Sequence, residues 1–300
     1  ARAAEALGVD NGIEAWRKVA HAGPRARLPR RELGRIYRAA GRWNPLVESL
    51  KELVERLPAE RTDEKVATLF EMTEVYRERL KLDVMVLQTL NQVLATDPKS
   101  RRALDALEAQ YDALKRWPDL IKVLEKKSAL LTDTAAQVEM QLRIAGLYLE
   151  KFSNQAEAIK AYERALELDP ASTQALEFLK QMYERRRDWD KLIAAHQREL
   201  LGVSDAAERV RRRVEVAKLA SDKVKKAPLS IELWRQVLEE EPEHALALAE
   251  LEKLYERERA WGDLAGVLEK QIGKAPDAAA RVAALTKLAI LYGEKQNDPE

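Results

Sequence analysis

The chain has 300 residues, with 52 Lys and Arg against 51 Asp and Glu, three His and no Cys. This balance leaves no overall field to draw it to nucleic acid or an anionic membrane, and the missing thiols exclude disulfides, thiolate zinc sites and cysteine nucleophiles. Helix formers dominate while Gly and Pro number eleven each, and no apolar run reaches the roughly 20 residues that span a bilayer, so an all-α chain is predicted.

The opening "ARAAEAL" reads as the end of one helix, and "GIEAWRKV" as the helix after it, with Trp16 in the place later held by Leu90, Tyr162 and Trp234. Residues 21 to 42 follow with seven Arg against one Glu. Arg31, Arg35 and Arg38 stand there at helical spacing, a set that suits an acidic protein segment or, as a second choice, phosphate, and otherwise reads as a solvated face. The phrase "YRAAGRW" from Tyr37 then returns as "YDALKRW" from Tyr111, "YERRRDW" from Tyr183 and "YERERAW" from Tyr255, so that Trp43, Trp117, Trp189 and Trp261 are separated by 74, 72 and 72 residues. Self-similarity at a fixed period is the signature of a repeat architecture. The Tyr is expected to end one helix and the Trp to begin the next, both rings burying in the corner between them.

Between these phrases lies a second signal, "TDP" at Asp97-Pro98, "LDP" at Asp169-Pro170 and "EEP" at Glu241-Pro242, where each Pro stops a helix. Apolar residues between the stops recur at helical spacing, as in Leu176, Leu179 and Tyr183, then Leu192, Ile193 and His196. Each half of the long period is therefore an antiparallel helix pair. The chain closes on "EKQNDPE" where the second helix of a pair is due, so a fragment of a longer array is expected.

Residues 142 to 170, with Ala145-Gly146, Ala158, Tyr162, Ala165 and Pro170, resemble a nearly complete tetratricopeptide repeat. The looser copies carry Glu74, Lys218 and Ile290 at the place of Gly146. The resemblance extends over residues 1 to 300 and is similar to long arrays of bacterial assembly and motility proteins. It implies an α-solenoid of about eight stacked antiparallel helix pairs forming a right-handed superhelix. It also implies that Ala145-Gly146 lies where the first helix approaches its neighbour closely, and that the first helices line a concave groove for a protein or peptide partner.

On those helices the implied stripes are Thr68, Glu71, Val75 and Glu78; Met140, Arg143, Leu147 and Glu150; Arg212, Glu215, Leu219 and Asp222; and Ala284, Lys287, Leu291 and Glu294. The apolar row Val75, Leu147, Leu219 and Leu291 could grip a partner segment or pack against a neighbouring helix. The interleaved helices present Asp105 and Asp112, then Glu177, Gln181 and Glu184. The Lys and Asn set with which chaperone-tail binders of the family clamp a carboxylate has Leu147, Leu219, Gln181 and Lys253 in its places, so no such clamp is expected.

Catalytic chemistry finds little support. His21, His196 and His244 fall in different repeats, and His196 replaces Leu50, Leu124 and Leu268 of the sister units, as a tuned acid or base or as a partly buried, hydrogen-bonded group. Gly266 and Gly273-Lys274 lack phosphate-loop spacing, and no metal set, cofactor site or nucleophile with its base emerges. A noncatalytic protein-interaction scaffold is expected, in an assembly, polarity or motility complex. The alternatives are an RNA-binding helical-repeat protein, or the targeting arm of an enzyme whose catalytic domain lies outside this chain. The expected compartment is the cytoplasm, or the periplasm if a signal precedes the chain.

Overall fold

A computed structural model describes residues 8 to 22, 27 to 273 and 277 to 296. Every regular element among them is a helix. The chain divides into two compact units, residues 1 to 136 and 137 to 300.

The first unit holds α1 (Val9–Ala22), α2 (Arg27–Ala39), α3 (Trp43–Arg56), α4 (Thr62–Glu74), α5 (Asp83–Thr96), α6 (Arg101–Ala113) and α7 (Trp117–Leu130). Each packs against the next in sequence. Leu46, Leu69, Leu90, Leu104, Leu107, Leu120 and Leu124 are fully buried between them. The second unit begins within α8 (Thr134–Phe152) and continues through α9 (Gln155–Leu168), α10 (Thr173–Arg186), α11 (Trp189–Leu200), α12 (Ala206–Leu219), α13 (Ala227–Glu240), α14 (Ala245–Glu258), α15 (Trp261–Gly273) and α16 (Ala278–Ile290). From α9 onward the same neighbour-on-neighbour packing holds. Its core centres on Trp234, which is 0% exposed, with its indole Nε1 donating to Ser221 Oγ at 3.1 Å.

The repeated phrase has a backbone explanation. After Tyr37, Tyr111, Tyr183 and Tyr255 the chain turns through a residue of positive φ, respectively Gly41, Lys115, Arg187 and Arg259. The following amides of Arg42, Arg116, Asp188 and Ala260 then return to the carbonyls of those four Tyr at 2.8, 2.8, 2.8 and 2.9 Å. This left-handed closure satisfies carbonyls that the helix end would otherwise orphan. The next helix starts at once on Trp43, Trp117, Trp189 and Trp261. At the other junctions, Asp97, Asp169 and Glu241 take extended backbone before Pro, which disfavours helical geometry in the residue preceding it.

Two details depart from expectation. The four Tyr are buried, but the four Trp, each the first residue of its helix, are only half-buried. A Cβ added at Gly146 would meet nothing within 4 Å. The adjacent Ala145 is the buried member of the pair, 0% exposed.

Three of the four first helices of the alternate pairs, all but α8, share a further feature. α4, α12 and α16 each end in a wider π turn, at Val75–Leu80, Ala220–Val224 and Leu291–Gln296. A π turn inserts a residue into the helical repeat, so side chains beyond it rotate away from the stripe that α-helical spacing would trace.

Candidate functional site

Helices α10, α11 and α12 enclose a cleft of about 720 Å³ bordered by Glu177, Lys180, Gln181 and Glu184 of α10, Leu192, His196 and Glu199 of α11, and Arg211, Arg212, Glu215, Val216 and Leu219 of α12. It brings together two stripes that sequence spacing traced separately, the Glu177, Gln181 and Glu184 set and the Arg212, Glu215 and Leu219 set. Leu192, Leu200 and Val216 are buried in its floor, and Leu219 is half-buried.

The cations of the cleft are engaged internally. Glu199 accepts from Lys180 Nζ at 2.7 Å and lies 3.2 Å from Arg212 Nη1 and 3.7 Å from His196 Nδ1. Burial pushes the Glu199 carboxyl up, but the Lys180 hydrogen bond and the surrounding positive charges outweigh it and hold the group below the ordinary range. Glu208 takes both Arg211 and Arg212, at 2.7 and 2.6 Å; their hydrogen bonds bring its pKa down to about 2. Burial, then the Lys180 charge, lowers the His196 pKa and so favours the neutral imidazole. By contrast Glu177, Glu184 and Glu215 are exposed at the rim and form no ion pair among the described residues. The open charge of the cleft is therefore negative.

The other candidate residues are dispersed. Arg31 lies 3.9 Å from Glu64, Arg35 donates to Glu32 at 2.9 Å, and Arg38 pairs with Glu71, so these three arginines spend their charge on neighbouring carboxylates. Arg38 and Val75 border a separate recess of about 510 Å³ with Trp43 and Arg79, where the guanidinium lies 4.9 Å from the indole centroid. Of the apolar row, Val75 and Leu291 are buried, 6% and 4% exposed, in the packing between helices, whereas Leu147 and Leu219 are half-buried. Both buried residues open a π turn, where the helix widens against its neighbour. Arg143 and Glu150 on α8 are exposed, and Glu150 pairs with Lys151 at 3.5 Å. Asp222 is exposed on the π turn after α12. The side chains of His21 and Glu294, and Lys274, lie outside the described residues. His244 caps α14, its Nδ1 accepting from the Ala247 amide at 3.3 Å.

One recurrent arrangement escaped sequence reading. The buried Tyr of each phrase bonds through its hydroxyl to the residue twenty positions earlier: Arg17 donates to Tyr37 at 3.0 Å, Asn91 to Tyr111 at 3.3 Å and Arg235 to Tyr255 at 2.6 Å, while Tyr183 donates to Glu163 at 2.8 Å. Glu163 also receives Lys191 at 2.7 Å, and Arg235 reaches Asp263 at 2.8 Å. The two triads are the same geometry with opposite charge. Comparing positions 17, 91, 163 and 235 at the repeat spacing is the signal that would have exposed it.

Among the described residues no group of three or more His, Cys, Asp or Glu is placed to hold a metal ion, and no helix is long and apolar enough to cross a membrane.

The sequence model of the tetratricopeptide repeat family matches residues 175–210, which span most of α10, all of α11 and the start of α12. No curated protein sequence matches the chain. Similar solved structures include the MamA protein, 18% identical over 62% of this chain and 92% of that one at a TM-score of 0.30. Others are the P58(IPK) TPR domain, 13% identical over 98% and 97% at 0.30, and a tetratricopeptide repeat protein from Parabacteroides merdae, 16% identical over 92% and 99% at 0.30. Likenesses at this level fix neither shape nor function. Residues 175–210 match a tetratricopeptide repeat, and this helix pair recurs along the sequence with its Tyr, its left-handed turn and its Trp in register, each copy folded into the same two antiparallel helices.

Proposed function

We propose that the chain is a noncatalytic scaffold that holds a segment of a partner protein in the cleft of α10, α11 and α12. The observation that carries this reading is the division of charge. Lys180, Arg211 and Arg212 are consumed by Glu199 and Glu208, which leaves Glu177, Glu184 and Glu215 open at the rim above an apolar floor. A segment that alternates Lys or Arg with apolar side chains suits both features, since its cations meet open carboxylates while its apolar groups cover Leu192, Val216 and Leu219.

A 12-residue peptide array probed with the chain and with its Glu184→Lys/Glu215→Lys variant tests the assignment. The wild-type chain should retain peptides that mix basic and apolar residues, and the variant should lose them. If both proteins retain the same peptides, the cleft is not the binding site.

A further inference from the structure

In the first unit, α3, α4 and α5 border a cleft of about 540 Å³. Leu69, Met72 and Tyr76 are buried in its floor, and Val54 and Met85 are half-buried in its walls. Its polar rim carries Lys51, Glu55, Lys65, Gln88 and Gln92. Lys51 is held by Glu48 at 2.9 Å. Lys65, on the first turn of α4, is half-buried, and its side chain forms no hydrogen bond or ion pair among the described residues; nor do those of Glu55, Gln88 and Gln92. Related positions show what this cation lacks. Two 72-residue units later Arg209 stands at the place of Lys65, and Glu240 of α13, at the place of Thr96, meets it at 2.7 Å. There Gln236, the counterpart of Gln92, is engaged as well, accepting from Arg213 at 3.0 Å and donating to Glu232 at 3.1 Å. In α2 the corresponding cation is Arg30, with Glu52 of α3 at 3.5 Å. The pair of α4 and α5 puts Thr96 in place of Glu240, Leu69 in place of Arg213 and Gln88 in place of Glu232. A half-buried ammonium and two amides thus stand above an apolar floor without the carboxylate that their counterparts meet.

We propose that this cleft binds a segment of a partner protein in which one Asp or Glu side chain is flanked by apolar residues. Its carboxylate takes the place that Glu240 holds in the sister pair, with Lys65 donating to it and the amides of Gln88 and Gln92 on the same rim. The apolar neighbours cover Leu69 and the Met72 and Met85 side chains, whose unbranched thioethers adapt to different shapes. Glu55, open on the rim, repels a second carboxylate, so the segment carries a single acid and not an acidic run. This cleft lies in the first unit and that of α10 to α12 in the second, so either assignment can fail alone.

The probe is an array of 12-residue peptides, amidated at the C-terminus, each with one central Glu among apolar and neutral polar residues and each paired with a twin carrying Gln. The 300-residue chain should retain Glu members over their Gln twins, and fluorescence anisotropy on the retained peptides should give a preference of at least about fivefold. Lys65→Met, which keeps an unbranched side chain, should abolish the preference. Thr96→Glu should abolish it too, by supplying the carboxylate of the sister pair from within, and should raise the urea midpoint in the wild-type background but not beside Lys65→Met. Circular dichroism should leave both variants as helical as wild type. No preference for Glu, a preference that survives either substitution, or an unchanged midpoint in Thr96→Glu overturns the proposal. So does release of the peptides by pentanoate at equal concentration, which would assign the cleft to a small carboxylate.

Discussion

At Arg187 the backbone is held at φ 56° and ψ 32°, a left-handed conformation that costs a residue with a Cβ about 1 to 2 kcal/mol. The side chain is exposed and makes no hydrogen bond or ion pair among the described residues. Arg187→Gly therefore removes strain without removing a contact. Against it stands the extra freedom that glycine gains in the unfolded chain, roughly 0.5 to 1 kcal/mol. The net expectation is a stabilisation of roughly 0.5 to 1 kcal/mol. Gly41 supplies the reverse experiment in the same turn. Its φ is +67° and a Cβ would meet nothing within 4 Å, so Gly41→Ala should destabilise by about 1 kcal/mol through the backbone alone. Urea titration followed by circular dichroism should move the midpoints in opposite directions with unchanged slopes. If Arg187→Gly destabilises, or Gly41→Ala is neutral, the left-handed turn does not carry the strain assigned to it.

Trp189 is half-buried with Lys223 Nζ 5.9 Å from its ring, so Trp189→Ala should cost about 2 kcal/mol, below the roughly 3 to 5 of a fully buried aromatic; a double-mutant cycle with Lys223→Ala should give a coupling of at most about 1 kcal/mol. His196 has its pKa lowered by burial and by Lys180, with the Glu184, Glu199 and Glu215 charges opposing. The unfolded chain therefore takes up the proton first as pH falls below about 6.5, and native stability declines through that window. His196→Leu, which installs the residue of the sister units, should remove this decline, and its gain in urea midpoint should be larger at pH 5 than at pH 8; an equal gain at both would contradict the assigned shift. Glu163→Arg sets two cations beside Tyr183 and should destabilise by about 1 to 2 kcal/mol, whereas adding Lys191→Asp recreates the Arg235–Tyr255–Asp263 set and should restore most of that loss in thermal unfolding.

Much of the fold is legible in the sequence because it is local. The Trp that opens each second helix, the Pro that follows each stop and the apolar spacing between them are decided within a few residues, and repetition removes the ambiguity of any one copy. What escapes is set at longer range. The dense arginines of α2 look like free charge until the next first helix is folded beside them, which brings Glu64 to Arg31 and Glu71 to Arg38, each 33 positions on. Val75 and Leu291 keep their place in a stripe only while the helix keeps its α repeat, and the π turns at those residues break it. The cleft was half legible: its residues were on two separate stripes, but their meeting around His196 depends on how α11 is laid between α10 and α12.

The opposite polarity of the two Tyr triads bears on how a chain of repeated helix pairs assembles without error. Repeats that resemble one another invite a pair to settle into its neighbour's slot, a characteristic failure of such proteins. Were the helix of Glu163 to meet the phrase of Tyr255, its carboxylate would face Asp263, and the helix of Arg235 in the other slot would face Lys191. A slip by one 72-residue unit thus sets like charges side by side in both slots. The triads work as keyed joints, adding charge to side-chain size in telling each module which neighbour comes next.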